Sequence, residues 1–389
     1  MRINVTYVLS STTTYGGGTK SFMTLLEGAI KYGVAATLVV PDKQGIYEEL
    51  KKMGLEVIVL NYRYSIYPYL HSAKDYILFL PRLFMRKFLN WRASRQLTSI
   101  LTTRCVDIIH TNVSVIDIGF KAAKHLGVPH IYHFREYADK DFDMHYFPTK
   151  KRFYHYIDHP WSYNICITKD IQRHHQQQNC KRSKVIYDAV LNDSPTLKID
   201  TKDNYFLYAG RIDASKGLDM LLHAYQKAAV DVPLYVAGDV RDMDYYEMQK
   251  QFLREHHLED MVKFLGQVND LPSLMRKALA IVIPSRFEGF GRCMPEAMFY
   301  GCLSIGRNTG GTKEQLDNGM ELEKKEIGLR FDNTEQLASQ IKLVASNSFS
   351  DFIPYIERAY HTVNHLYSLE ANSNAIHQLY HDIINDTTH

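Results

Sequence analysis

Residues 284–298 read Pro-Ser-Arg-Phe-Glu-Gly-Phe-Gly-Arg-Cys-Met-Pro-Glu-Ala-Met. An apolar run at 280–284 feeds a glycine-rich turn, and an apolar helical pattern follows. Strand, turn and helix are therefore expected in that order. Pro295 suits a first helical position, where its missing N–H has no intrahelical partner in any case. The amides of residues 289–292 are expected to lie at the helix start, where they can receive an anion or a sugar hydroxyl. Glu288 and Glu296 bracket the turn. A carboxylate accepts two hydrogen bonds, which suits a pair of vicinal hydroxyls. On spacing alone, the same two glutamates suit solvated or capping positions equally well.

Upstream, residues 208–217 read Tyr-Ala-Gly-Arg-Ile-Asp-Ala-Ser-Lys-Gly. Arg211 leaves the end of a strand and Lys216 lies at a helix start. With the helix amides they form a cationic clamp suited to a diphosphate. Two surface cations are the plain alternative. Outward from these motifs the chain alternates. Strands are expected at 205–209, 234–237, 262–264, 280–284 and 303–305, with helices at 217–229, 245–255, 271–277 and 295–300. The first half repeats the pattern. Its strands are expected at 3–9, 36–40, 56–60, 106–110, 129–133 and 185–187. Its helices are expected at 21–32, 47–53, 77–103 (broken near Pro81) and 116–126. Such alternation predicts an α/β chain with parallel sheets covered on both faces. The polar stretch 192–204 reads as a linker, and 389 residues suit two domains. The boundaries expected are 1–190, 191–365 and a C-terminal helix at 366–389.

The net charge of +3 conceals a division. Residues 1–200 hold 27 Lys and Arg against 17 Asp and Glu, whereas residues 201–389 hold 19 against 26. Residues 82–104 carry Arg82, Arg86, Lys87, Arg92, Arg95 and Arg104 with no acid, interleaved with Leu83, Phe84, Phe88, Leu89 and Trp91. A basic amphipathic helix suits an anionic membrane surface; a solvated face over a buried stripe is the alternative. Tyr62, Tyr64, Tyr67 and Tyr69 cluster just before it, with rings suited to a sugar face or an interface. Lys150, Lys151 and Arg152 add a second basic cluster. No nucleic-acid recognition motif accompanies this charge, so no nucleic-acid partner is expected. Five cysteines without a CxxC pair argue against a disulfide framework and suit a reducing cytosol. No run of about 18 apolar residues is present, and the N-terminal apolar run ends in a Thr/Gly turn unlike a signal peptide. A cytoplasmic chain, at most peripheral to the inner face of a membrane, is expected.

Gly210-Arg211 with Lys216-Gly217, then 236–239 (VAGD), 264–266 (FLG), Pro284-Ser285, 288–291 (EGFG), 295–298 (PEAM), Gly301 and 310–314 (GGTKE) occur in a fixed order. That order and spacing resemble the retaining glycosyltransferases of family four. The resemblance is tight over 205–316 and loose over most of the rest. It implies the GT-B fold, in which two Rossmann-like domains with parallel sheets face a central cleft. It implies a nucleoside diphosphate sugar as co-substrate, with no other cofactor and no metal. Arg211 and Lys216 then resemble the donor-diphosphate pair, and Glu296 the residue that holds the ribose hydroxyls. Glu288 resembles the residue that contacts the transferred sugar. Gly289, Phe290, Gly291 and Arg292 resemble the sugar and phosphate cradle, with Gly210 at the first turn and Leu265 where members seat the base. In the first half, Gly16 and Gly17 resemble the glycine turn that approaches the donor phosphate. His133 falls at a strand end, facing the cleft, where members place a histidine beside the donor sugar.

The chain departs from the family at two places. Asp188-Ala189 stands where members usually have Asn-Gly, and Phe134-Arg135-Glu136 follows His133 where an aspartate is common. Asp139, Asp141 and Asp143, and Asp242 with Asp244, form Asp-x-Asp pairs, but none directly follows a buried strand and no metal role is expected. The implied reaction is transfer of a hexosyl group, with retention, to the hydroxyl of a saccharide or lipid-linked saccharide in surface or capsular polysaccharide assembly. A phosphorylase-like GT-B enzyme and a catalytically silent nucleotide-sugar-binding subunit are the rivals.

Overall fold

The computed structural model describes residues 2–10, 16–140, 144–146, 149–190, 196, 197, 199 and 201–388. Asp141, Asp143 and much of the expected linker lie outside the described residues. The chain forms two compact units, Met1–Ala189 with Leu369–His389, and Val190–Ser368.

The first unit holds β1 (Asn4–Val8), β2 (Ala35–Val40), β3 (Glu56–Val59), β4 (Ile66–Pro68), β5 (Ile108–Thr111), β6 (His130–Phe134), β7 (Met144–Tyr146), β8 (Ser162–Cys166) and β9 (Ser183–Val185). Seven of them form one parallel sheet in the order β3-β2-β1-β5-β6-β8-β9, while β4 and β7 pair antiparallel apart from it. Strands β5, β6 and β8 are buried along their whole length, as a parallel sheet covered by helices on both faces requires. The final helix, Leu369–Thr388, belongs to this unit. It sends Ile376, Leu379, Tyr380 and Ile383, spaced three and four apart, into the core formed by Tyr7, Phe22, Leu25 and Leu26.

One expectation is corrected here. The basic segment is a single helix, Ala73–Thr102, running through Pro81 without a break. Proline removes the bond to the carbonyl four residues back, here that of Ile77. Ile77 is 75% exposed and Pro81 is exposed too, so water can take the place of that donor. Ser72 caps the helix by accepting from the Asp75 N–H, and Ala93, Leu97 and Leu101 anchor its far half against Ile118, Ala122 and Ala123. Two short strands, β4 and β7, and the polar-looking β8 escaped the sequence pattern. In β8, the Asn164 amide is buried but donates to the Ile157 carbonyl and to Gln177 Oε1, which is how a polar residue enters a core strand.

The second unit holds β10 (Phe206–Ala209), β11 (Leu234–Ala237), β12 (Val262–Gly266), β13 (Ala280–Ile283), β14 (Leu303–Arg307) and β15 (Leu329–Phe331). They form one parallel sheet in the order β12-β11-β10-β13-β14-β15. Each sheet reverses its strand order once, between β1 and β5 in the first unit and between β10 and β13 in the second. In open α/β sheets the binding crevice lies outside the carboxyl ends of the strands at that reversal.

Candidate functional site

In the second unit the two loops at the reversal are 210–217, after β10, and 284–292, after β13. These are the two motifs singled out in the sequence. They are joined by an ion pair: Lys216 Nζ lies 2.6 Å from Glu288 Oε1, and both side chains are mostly buried. Ser285 Oγ donates to the same carboxylate oxygen at 2.8 Å. A second bolt lies alongside. The Arg286 guanidinium makes a bidentate pair with Asp219 at 2.9 and 2.6 Å, and Tyr245 Oη donates to Asp219 at 2.7 Å. The Asp219 carboxyl is held below its usual range by these hydrogen bonds against the opposing effect of burial.

The first loop is turned by local chemistry. Asp213 caps a short turn, Ala214–Lys216, by accepting from the Ser215 N–H at 3.0 Å. Gly217 then takes φ +70°, and a Cβ there would stand 2.3 Å from the Pro284 carbonyl oxygen. Only glycine lets the two loops approach this closely. Arg211 sits at the mouth of the turn, about half exposed, with Nε 3.2 Å from Asp213. Gly210 follows β10 directly and donates its N–H to the Ala237 carbonyl.

The second loop is clamped from behind. Gly311 donates its N–H to the Glu288 carbonyl at 2.8 Å, and the Gln315 side chain donates to the Phe290 carbonyl at 2.6 Å. The Phe290 ring is buried edge-on against Tyr367. Arg292 reaches Glu296 Oε1 at 3.0 Å and the Val190 carbonyl at 2.8 Å. The helix here is Cys293–Phe299, not 295–300 as expected. Gly291 at φ +78° starts it two residues earlier, and Pro295 is accommodated within the first turn, where its N–H is not needed. Desolvation, followed by Glu296 and Glu288, pushes the Cys293 thiol up to about 12, so it stays protonated.

Lys216, Glu288, Arg292 and Glu296 thus come together, with Gly289 and Gly291 in the same turn. Leu265 is 37% exposed at the end of β12. The sequence reading missed Ser285, Asp219, Arg286 and Gln315. Their signal was weak: Gln315 adjoins the quoted 310–314 motif, but nothing in spacing pairs it with a residue 25 positions earlier.

In the first unit, Gly16 caps the helix Gly17–Lys31 with φ −73°, a conformation open to any residue. His133 is fully buried near the end of β6, rather than standing open. Its Nδ1 lies 3.2 Å from His110 Nε2, and its own Nε2 is buried with no hydrogen-bond partner among the described residues. Desolvation, then Arg135 and His110, drive its pKa well below the usual histidine value, so the ring is neutral. The two departures from the family pattern meet here. Arg135 forms an ion pair with Asp188, both side chains being about 5% exposed, and Arg135 also donates to Asn112 at 3.1 Å. Glu136 accepts from the Ser114 N–H and hydroxyl at 2.8 and 2.7 Å.

Asp242 caps the helix Met243–Glu255 by accepting from the Tyr245 N–H. Among the described residues no group of three or more His, Cys, Asp or Glu is placed to hold a metal ion.

The two units, each built on a parallel sheet with one reversal of strand order, have the GT-B fold. Residues 191–371, just under half of the chain, match the family described as glycosyl transferases group 1. An uncharacterised glycosyltransferase of Methanocaldococcus jannaschii is 26% identical over 252 residues, 61% of this chain and 69% of that one. The N-acetylgalactosamine-N,N'-diacetylbacillosaminyl-diphospho-undecaprenol 4-alpha-N-acetylgalactosaminyltransferase of Campylobacter jejuni is 27% identical over 129 residues, 32% of this chain and 34% of that protein. The crystal structure of HepE from Anabaena, in complex with UDP and glucose, superposes with a TM-score of 0.73 at 18% identity, over 97% of this chain and 99% of that one.

Proposed function

We propose that this chain moves a hexosyl group from a nucleoside diphosphate sugar to an acceptor hydroxyl with retention and without a metal. The observation that carries this reading is the Lys216–Glu288 pair at 2.6 Å, which ties the two reversal loops of the second unit into one polar site. Lys216 keeps two further N–H donors for phosphate oxygens, and Arg211 adds a guanidinium. As the diphosphate leaves, negative charge grows on it, and these fixed cations meet that charge without reorganising. Glu288, held by Lys216 and Ser285, positions the donor sugar, and Glu296 grips the ribose hydroxyls. No protein nucleophile is needed: the leaving phosphate takes the acceptor proton on the face it vacates. UDP-glucose is the first donor to test, because HepE was crystallised with UDP and glucose. Arg211→Ala weakens UDP-glucose binding about tenfold or more by calorimetry, as the loss of one charge-assisted contact requires; unchanged affinity removes Arg211 from the clamp.

The acceptor reading is a lipid-linked saccharide in surface polysaccharide assembly, on the cytoplasmic face of a membrane. The relative from Campylobacter jejuni, named for a diphospho-undecaprenol substrate, supports it, and so does the helix Ala73–Thr102. Ile77, Leu80, Phe84, Phe88 and Trp91 are all more than half exposed along it, at spacings of three and four, beside exposed Arg82, Lys87, Arg92 and Arg95. An apolar stripe flanked by cations suits the interface of an anionic bilayer. Among the described residues no helix is long and apolar enough to cross a membrane. The chain is expected to float with phosphatidylglycerol vesicles at low salt and to be released at about 0.5 M salt, where charges are screened beyond a few ångströms. Equal binding to neutral phosphatidylcholine vesicles would remove the electrostatic part of the argument.

A further inference from the structure

We infer that the first unit holds a separate pocket for a saccharide bearing an anionic group, phosphate or carboxylate, and that the acceptor docks there. The acceptor role rests on the transferase reading; the pocket chemistry does not. A cavity of about 360 Å³ is lined by the helix Ala73–Thr102, by β4 and β7, by the loop after β5 and by the helix Lys150–Ile157. That volume is within the range of small-ligand sites, about 300–1,000 Å³. The loop after β5 lies at the carboxyl end of the sheet, where its strand order reverses.

Three features specify the ligand. The first is charge. Arg86, Lys87, Lys121 and Arg152 line the cavity, against one lining carboxylate among the described residues, Asp117, which is already paired with Lys121 at 2.5 Å. Arg86 is held in place, its guanidinium 4.5 Å above the Tyr67 ring and one N–H on the Ile66 carbonyl. Arg152 Nε donates to Tyr156 Oη at 3.2 Å. A guanidinium has five N–H donors, so each keeps donors for an anionic oxygen. The second is the set of ring faces. Tyr64, Trp91 and Tyr156 line the same cavity, and an aromatic face packs against the C–H face of a sugar. The third is a pair of orphans. Ser65 and Asp117 are among the lining residues, and Ser65 Oγ and Asp117 Oδ1 are buried with no hydrogen-bond partner among the described residues. Such an atom costs about 1–3 kcal/mol if left unmatched. A sugar hydroxyl satisfies both kinds, donating to the carboxylate oxygen and accepting from the serine hydroxyl. A fatty ligand would leave them stranded, and a bare phosphate would leave the rings unused.

The chain has two tryptophans, Trp91 and Trp161, so Trp161→Phe leaves the pocket residue as the sole indole emitter. Trp91 emission is then titrated with N-acetylglucosamine 1-phosphate, with a glucuronic acid–N-acetylglucosamine disaccharide and with neutral maltose. The unsubstituted chain is titrated with the same probes by calorimetry. Either anionic probe is expected to bind saturably, with maltose at least about tenfold weaker. The exposed-residue variants Lys87→Gln and Arg152→Gln are each expected to lose about tenfold, the size of one charge-assisted contact. Maltose binding as tightly as the acids, or both variants binding unchanged, overturns the proposal. Tighter binding of vesicle-embedded polyprenyl-diphosphate N-acetylglucosamine than of the soluble disaccharide assigns a lipid-linked source. The reverse order assigns a soluble acidic glycan, and either order supports the pocket. UDP-glucose calorimetry is run in parallel. Nucleotide bound with Trp91 silent overturns the pocket alone, whereas Trp91 responding without nucleotide binding overturns the transferase reading alone.

Discussion

Glu288→Ala is expected to lower turnover a hundredfold or more while the affinity for the donor changes by only a few-fold. The carboxylate is the partner of Lys216 at 2.6 Å and of Ser285 at 2.8 Å. On the proposed reading, removing it releases the lysine, which still meets the diphosphate, so ground-state binding is kept. What disappears is the fixed acceptor beside the transferred sugar, and with it the orientation of that sugar against the incoming hydroxyl. The loss therefore falls in kcat rather than KM. Glu288→Gln keeps the shape but not the charge, and is expected to recover part of the loss. Turnover of the alanine variant within a few-fold of the parent would falsify the assignment.

The second large effect lies in the first unit. Asp188→Ala leaves the Arg135 guanidinium buried, with Asn112 as its remaining acceptor and the His133 ring beside it. Breaking a buried pair on one side costs about 3–5 kcal/mol, because the surviving charge stays desolvated. Trp91 and Trp161 both belong to the first unit, so their fluorescence in a urea titration reports the unfolding of that unit. A loss of this size moves the urea midpoint down by about one to two molar at a slope of about 2.5–3 kcal/mol per molar, the upper end of the range for urea. The double replacement Arg135→Met with Asp188→Leu removes both charges and is expected to restore much of the stability. A midpoint for Asp188→Ala within about 0.2 M of the parent sinks the claim that this pair supports the unit.

The sequence was most legible where chemistry is local. Strand-to-helix turns announce themselves through glycine, and both reversal loops of the second unit were recognisable from Gly210, Gly217, Gly289 and Gly291. The structure brings Lys216 and Glu288 together across 72 residues because their loops leave neighbouring strands. Order along a chain does not state that adjacency. Pairing across distance was hidden elsewhere too. Arg135 and Asp188 each looked like a departure from the family pattern, and 53 residues separate them. The continuous helix through Pro81 was misread because propensity weighs a residue without knowing which side faces water. β4, β7 and β8 were missed for the opposite reason. The first two have three residues each, too few to show a period, and β8 buries polar side chains whose partners lie elsewhere. His133 lies on the expected strand, but its depth depends on His110 and Arg135, which no spacing rule connects to it.

The first unit is assembled from the beginning of the chain and from residues 369–388, with the whole of the second unit threaded between. On the ribosome, residues 1–189 emerge early with the Tyr7, Phe22 and Leu26 face uncovered, and wait for some 180 further residues before Leu379, Tyr380 and Ile383 arrive to close it. The second unit has no such debt and can close as soon as it is made. Synthesis order and folding order are thereby reversed: the half that reads first completes last, and its exposed apolar face is the span during which a chaperone has something to hold.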